Sequence, residues 1–331
     1  MLYRALLLFL LVLPLSLQAE TLRVAVFNTE LSRKGPGLLL RDILNRDPQV
    51  EAVVATLAAP APDVVLLCRV DYDLGLQALT ALTDRLREAG LDYPHVHSSR
   101  PNSGMMTALD LDGDGRRGTP DDAQGYGRFA GAGGMAILSR HPLGPVQDHS
   151  DFRWPDLPRA LLPERDGASF PSAAVLAQQR LASTAIWDVA VETPQGPLHL
   201  LAFHAGPPLF GGPQDRNLRR NHDEVAFWTV YLDGELPMQP PVEPFVILGD
   251  ANLDPVGGSG MNGVIQRLLA HPALQDPHPG LPTVEWESTG PLRVAYALPD
   301  ARLGVVVAGV TDPHPSLRHR LVWVDLALPM P

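Results

Sequence analysis

The sequence predicts an α/β (α+β) fold in which two packed, mixed β-sheets are flanked by helices. Short apolar runs bounded by Gly, Pro, Asn and Asp recur from one end to the other, as buried strands do. Segments with helical spacing interleave unevenly between them, which favours two sheets with outer helices over a strict βαβ repeat. Proline is abundant, 34 in 331 residues beside 29 glycines, so many ordered loops should join short elements.

Leu22 to Phe27 is the first strand and ends at Asn28. Leu38 to Leu57 has mixed helical spacing, and Val64 to Leu67 is a second strand ending at Cys68-Arg69. Gln77 to Ala89 repeats apolar residues at three and four, with Gly90 as a stop, and reads as a surface helix. Gly134 to Arg140 and Trp187 to Val191 are further strands. The second of these feeds a turn at Thr193-Pro194-Gln195-Gly196-Pro197 and a hairpin partner, Leu198 to Phe203, that ends at His204. Asn221 reads as an N-cap opening a helix, with Asp223 and Glu224 in the first turn where the dipole favours acids. Phe245 to Leu248 runs into Gly249-Asp250-Ala251-Asn252, and Arg318-His319-Arg320 precedes the last strand, Leu321 to Val324. Each polar group therefore stands at a strand end, where such folds place their chemistry.

Met1 to Ala19 has Arg4 in a short basic region, then an apolar stretch shorter than the ~20 residues that span a bilayer, and so predicts a secretory signal. Residues 20–331 are expected to form one domain, secreted or periplasmic, with no later membrane span. The formal charge is −11, or −12 once Arg4 is removed, so the chain lacks the basic footprint of a nucleic-acid binder. Cys68 is the only cysteine, which excludes an intrachain disulfide, and its apolar run makes it an inert core thiol.

Asn28, His204, Asp250 with Asn252 two residues on, and His319 before a final strand resemble, in that order, the endonuclease/exonuclease/phosphatase superfamily. Gly127-Arg128-Phe129, Gly134 to Arg140, Asp215-Arg216-Asn217, Arg220 to Glu224 and Leu321 to Asp325 look like an exported bacterial branch of it. The resemblance covers nearly all of the mature chain. It implies a four-layer sandwich and hydrolysis of a phosphoester by a water held on Mg²⁺ or Mn²⁺. It further implies that Asn28 is a metal-side ligand, Asp250 orients the water, Asn252 donates to phosphate, and His204 and His319 contact the phosphoryl group.

Three acids that the resemblance calls for are missing. Cys68-Arg69 stands where the family has Gln-Glu or Asn-Glu, Leu317-Arg318-His319 where it has Ser-Asp-His, and Ala295 where an Asp would orient His319. Two unit charges 4 Å apart at a near-surface effective dielectric interact by roughly 4 kcal/mol, so an arginine opposes a divalent ion by about 8. Millimolar metal binding is worth only about 4 kcal/mol. Hydrolysis by the family mechanism should then be weak or absent. Arg69 and Arg318 could instead hold a phosphorylated or otherwise anionic small molecule directly, or could pair with Asp250 and fill the site. A working phosphodiesterase or phosphatase with an altered ion site, and an interaction protein with a relic pocket, are the rival readings. Nothing in the sequence sets the oligomeric state.

A second metal candidate lies apart. Asp110, Asp112, Asp114 and Asp121 occupy positions one, three, five and twelve of a loop with Gly115 at six, the spacing of an EF-hand-type Ca²⁺ loop. A structural calcium or a solvated acidic turn would both fit.

Overall fold

The apolar runs are continuous, rather than alternating with polar residues, because both faces of each sheet are covered. The computed structural model describes residues 21–242 and 244–328, so the predicted signal segment lies outside the described residues. The chain runs β1 (Thr21–Leu31), α1 (Leu38–Leu44), α2 (Pro48–Ala58), β2 (Val64–Val70), α3 (Gln77–Glu88), β3 (His95–His97), β4 (Gly134–Ser139) and β5 (Leu143–Asp148). A small hairpin, β6 (Glu164–Arg165) and β7 (Ala168–Ser169), then precedes α4 (Ala173–Leu176), β8 (Ile186–Thr193), β9 (Gly196–His204), α5 (Arg216–Leu232) and β10 (Phe245–Asp250). The last elements are α6 (Gly263–Leu269), β11 (Val284–Trp286), β12 (Gly290–Leu292), β13 (Ala295–Pro299), β14 (Gly304–Val310) and β15 (Val322–Ala327).

Six strands form one sheet in the order β14-β15-β1-β2-β4-β3, and five form the other in the order β13-β10-β9-β8-β5. Both are mixed: β1 runs parallel to β2 and β10 parallel to β9, while the remaining pairs are antiparallel. Side chains alternate between the two faces of a strand. Val24, Val26, Val64 and Leu66 thus meet Leu200, Ala202, Val246 and Leu248 between the sheets. Ala25, Phe27, Val65 and Leu67 point the other way, onto α1, α2 and α3. Leu201, Phe203, Phe245 and Ile247 pack beneath α5 and α6. The result is the four-layer arrangement of helices, sheet, sheet and helices.

Two helices depart from the sequence expectation. The spacing over Leu38 to Leu57 is broken by Pro48, which has no N–H to continue a helix and instead opens α2, with Asp47 capping Gln49 N. Asn221 is not a cap, since α5 begins five residues earlier at Arg216. Asn221 is fully buried and donates from Nδ2 to the carbonyls of Gly206 and Ala251, so the helix is tied to the loops after β9 and β10. Asp223 and Glu224 are then interior residues and not first-turn acids. Asp223 accepts from Trp154 Nε1 and Leu161 N, and Glu224 from Ser183 N and Gly206 N.

Candidate functional site

Continuing the inward-facing phase of each strand by one step leads from the dry core to the site. Asn28 follows Val24 and Val26, Cys68 follows Val64 and Leu66, His204 follows Leu200 and Ala202, and Asp250 follows Val246 and Leu248. Register holds them level: Asn28 is opposite Cys68, and Asp250 is opposite both His204 and Ala295. Asn28 Nδ2 donates to Asp250 Oδ2 at 2.6 Å, a bond that crosses from one sheet to the other. Asp250 Oδ1 accepts from Asn252 N at 2.9 Å. Cys68 is buried against Asp250, and burial followed by that carboxylate pushes its thiol well up, as an inert core cysteine requires.

His204 lies with Nδ1 3.3 Å from Thr184 Oγ1. Burial drives its pKa down to about 4; the Asp250 charge opposes this, while Arg69 and His319 add to it. It is a neutral imidazole at pH 7. His319 is buried at the neighbouring sheet end, edge-on to Trp286 with ring centroids 5.8 Å apart. Its pKa is also lowered, first by burial. Its Nδ1 has no hydrogen-bond partner among the described residues, consistent with alanine at 295.

The two arginines behave differently. Arg69 sits at a bulge where the β1–β2 and β2–β4 registers both shift, with φ +59°, and its side chain is exposed in the cleft. A non-glycine residue in the left-handed region is uncommon, and bulges of this kind re-aim side chains beside sites. The guanidinium is close enough to lower the pKa of both His204 and His319, and it makes no hydrogen bond or ion pair among the described residues. Arg318 turns away. Its Nε donates to Glu30 Oε2 at 3.1 Å and its Nη2 to Glu30 Oε1, and its side chain is 62% exposed. Neither arginine pairs with Asp250, so the alternative in which they fill the site by that contact does not describe this structure.

A hard divalent ion at this seat does not fit the residues present. Asn28 spends its Nδ2 on Asp250, and its Oδ1 accepts from Glu30 N. Glu30, a carboxylate at the second bulge that the sequence reading passed over, is held by Arg318. Only one trio of His, Cys, Asp or Glu ligand atoms gathers within 4.8 Å among the described residues, and it is elsewhere, at Asp110, Asp112 and Asp122.

That trio revises the predicted calcium loop. Asp110 and Asp112 belong to it, but Asp114 does not, and Asp122 takes the place expected for Asp121. Pro120 opens a single 3₁₀ turn, Pro120–Asp122, and a capping box with Thr119 turns Asp122 inward, where it also accepts from Leu111 N. Asp121 faces the other way, 3.8 Å from Arg216 Nη2. Asp112 has its pKa raised by burial, then by its acidic neighbours, as a cation site would exploit.

In front of His204 and Asn252 the strand ends open into a cleft of about 800 Å³. Its side-chain charges are Arg33, Lys34, Arg69, Arg128, Arg216 and Arg220, against Asp121 alone. Asn28, Asp250, His319 and Arg318 do not line it. Arg220 is buried: Nε donates to Leu181 O, and Nη2 to the carbonyls of Gln124, Arg180 and Ala182. Burial lowers its pKa to about 10, partly offset by Glu224, and it remains a cation. Arg216, Arg220 and Glu224 recur every fourth residue on one face of α5, a signal available in the sequence once the helix is started at the right place. Lys34 and Arg128 carried no such signal, because two loops far apart in the chain bring them together.

Comparison with known proteins agrees with this geometry. The sequence matches the Endonuclease/Exonuclease/phosphatase family over residues 25–319. No curated protein matches it. An endonuclease/exonuclease/phosphatase from Beutenbergia cavernae superposes with a TM-score of 0.57 at 21% identity, covering 93% of this chain and 72% of that one. A family protein from Leptotrichia buccalis gives 0.54 at 12% identity, covering 92% and 99%. Sphingomyelinase C from Streptomyces griseocarneus gives 0.51 at 16% identity, also covering 92% and 99%. At these identities the structures share the fold. With the family profile spanning most of its length and its strand-end residues assembled as described, the chain belongs to the endonuclease/exonuclease/phosphatase family.

Proposed function

We propose that this chain is an exported member of the family that binds a phosphorylated or otherwise anionic small molecule and is strongly impaired in metal-dependent hydrolysis. The observation that carries the reading is Arg69, an arginine without a carboxylate partner among the described residues, aimed into the cleft beside His204. A guanidinium matches phosphate geometry with paired N–H donors and needs no bridging ion. His204 is neutral and can donate one N–H, and Asn252 keeps part of its amide for a ligand while Nδ2 also donates to Ala205 O. Nucleic acid is disfavoured by the net charge of −11. The Asp110, Asp112, Asp122 loop is assigned a structural calcium, which its oxygen donors suit. Export rests on residues 1–19, and no described helix is long and apolar enough to cross a membrane.

The test uses purified mature protein with bis-nitrophenyl phosphate and nitrophenyl phosphate in Mg²⁺ or Mn²⁺, together with melting temperatures in phosphate and sulfate. The expected result is no turnover above background and an anion-dependent rise in melting temperature that Arg69→Ala removes. Metal-dependent turnover abolished by Asp250→Ala would establish the rival reading, a working phosphoesterase, which the assembled Asn28, His204 and Asp250 favour. Absence of both turnover and anion binding would leave a relic pocket.

A further inference from the structure

The anion-binding reading accounts for one corner of the cleft and leaves most of it unused. At about 30 Å³ per water, 800 Å³ holds roughly 27 water volumes, so a single phosphoryl group fills only a small part of it. The charges are distributed accordingly. Arg33 is engaged by Asp42 at 2.7 Å, Arg216 by Asp121 and the Leu111 carbonyl, and Arg220 by four carbonyls, so these three hold the walls. Lys34, Arg69 and Arg128 are exposed and carry no hydrogen bond or ion pair among the described residues. They come from three segments: the loop after β1, the end of β2 and the loop before β4.

Unpaired cations are ordinary on a protein surface, but here three converge on one concavity of a chain whose formal charge is −11. Like charges gathered around a low-dielectric recess raise the potential inside it and concentrate counter-anions there. Resting on the anion-binding reading, we propose that the ligand is a small polyanion: one phosphoryl group sits at Arg69 and His204, and at least one further phosphoryl or carboxylate group, on the same molecule, is held by Lys34 and Arg128. Linking the two contacts in one molecule makes the second effectively intramolecular, so affinity should climb with the number of anionic groups.

Calorimetric titration at fixed ionic strength with orthophosphate, pyrophosphate and tripolyphosphate tests this. Tripolyphosphate is expected to bind at least tenfold tighter than orthophosphate. Lys34→Gln with Arg128→Gln should abolish that gain and leave orthophosphate binding within about twofold, whereas Arg69→Ala should weaken both ligands. Lys34 and Arg128 are exposed and carry no hydrogen bond among the described residues, so the double variant should keep the parent melting temperature. If it does not, each single variant is titrated, and each is expected to lose part of the gain. Orthophosphate binding through Arg69 with no gain for tripolyphosphate would overturn this inference and leave the anion-binding reading standing. Failure of all three probes to bind would overturn both, and a gain that survives the double variant would assign the second group to other residues and refute the proposal as stated.

Discussion

Reversing the charge at the strand ends should rebuild a metal site. In the parent protein Arg69 and Asp250 both act on His204 and His319, and an arginine held 4 Å from a divalent ion at an effective dielectric near 20 opposes it by roughly 8 kcal/mol. Asp250 alone returns about the same amount, so little net attraction remains, and Glu30 is unavailable because Arg318 holds it. Arg69→Glu converts the repulsion into attraction of similar size. Arg318→Asp removes the partner of Glu30 and adds another carboxylate, and Ala295→Asp places an acceptor toward the buried His319 Nδ1 that now has none. Much of the Coulomb gain is lost in desolvating the new acids, which costs several kcal/mol per buried ion. Even a residual 4 to 6 kcal/mol corresponds to millimolar or tighter binding. Mn²⁺ titration followed by electron paramagnetic resonance reads this directly, with Asp112→Asn in every variant to silence the acidic loop. The triple variant is expected to bind one Mn²⁺ at submillimolar Kd, and the parent none at that seat. A parent that already binds Mn²⁺ there, lost on Asp250→Ala, refutes the electrostatic argument, as does a folded triple variant that binds none.

Three further outcomes follow from the same structure. His204 has a folded pKa of about 4, below the 6.5 of an exposed imidazole, so its contribution is fully present above pH 6.5 and is lost as pH falls toward 4; the loss is about 3 kcal/mol. Urea unfolding of the parent and His204→Gln at pH 7 and 4.5 should show a difference that shrinks by that order, and a pH-independent difference would contradict it. Calcium should raise the melting temperature through Asp110, Asp112 and Asp122, an effect removed by Asp112→Asn and kept in Asp114→Asn and Asp121→Asn; the reverse pattern would restore the original loop register. Arg220→Met should cost about 3 to 5 kcal/mol in chemical denaturation, because it leaves Glu224 buried without its nearby cation and four carbonyls short of a donor. A loss under 1 kcal/mol would mean that water or the helix itself compensates.

How far the sequence carried depended on whether a feature was local. The strands were legible because burial on both faces writes an uninterrupted apolar run, and the first polar residue after it marks the sheet end; Asn28, His204 and Asp250 were found this way. Cys68 followed from the same rule. Helix starts were less legible: Asn221 has the chemistry of a cap, yet its amide serves the Gly206 and Ala251 carbonyls instead, and that displaced the reading of Asp223 and Glu224 with it. In the acidic loop the EF-hand spacing was misleading by one residue, since Pro120 sets a tight turn that no flanking helix corrects. Glu30 was missed because nothing in its own segment announces a partner 288 positions away at Arg318. That Lys34 and Arg128 share a cleft with Arg69 was out of reach for the same reason.

Which family residues persist here follows from what each one touches. Asn28, Asp250 and Asn252 bond to one another or to adjacent backbone, and the Asn28–Asp250 bond ties the two sheets together at a buried point. Removing either partner would leave a buried polar group unsatisfied, at a cost of roughly 1 to 3 kcal/mol whether or not any chemistry occurs. The positions at 69 and 318 carry no such duty: one side chain projects into the cleft and the other lies over the surface, so either can change charge while the framework holds. His319, at the same sheet end, keeps an imidazole Nδ1 with no hydrogen-bond partner among the described residues. Packing and hydrogen bonding therefore give the aspartate and asparagines a structural duty beside any catalytic one. Of positions 69 and 318, it is 69, exposed in the cleft, that is free to report what the cleft binds, and it is cationic.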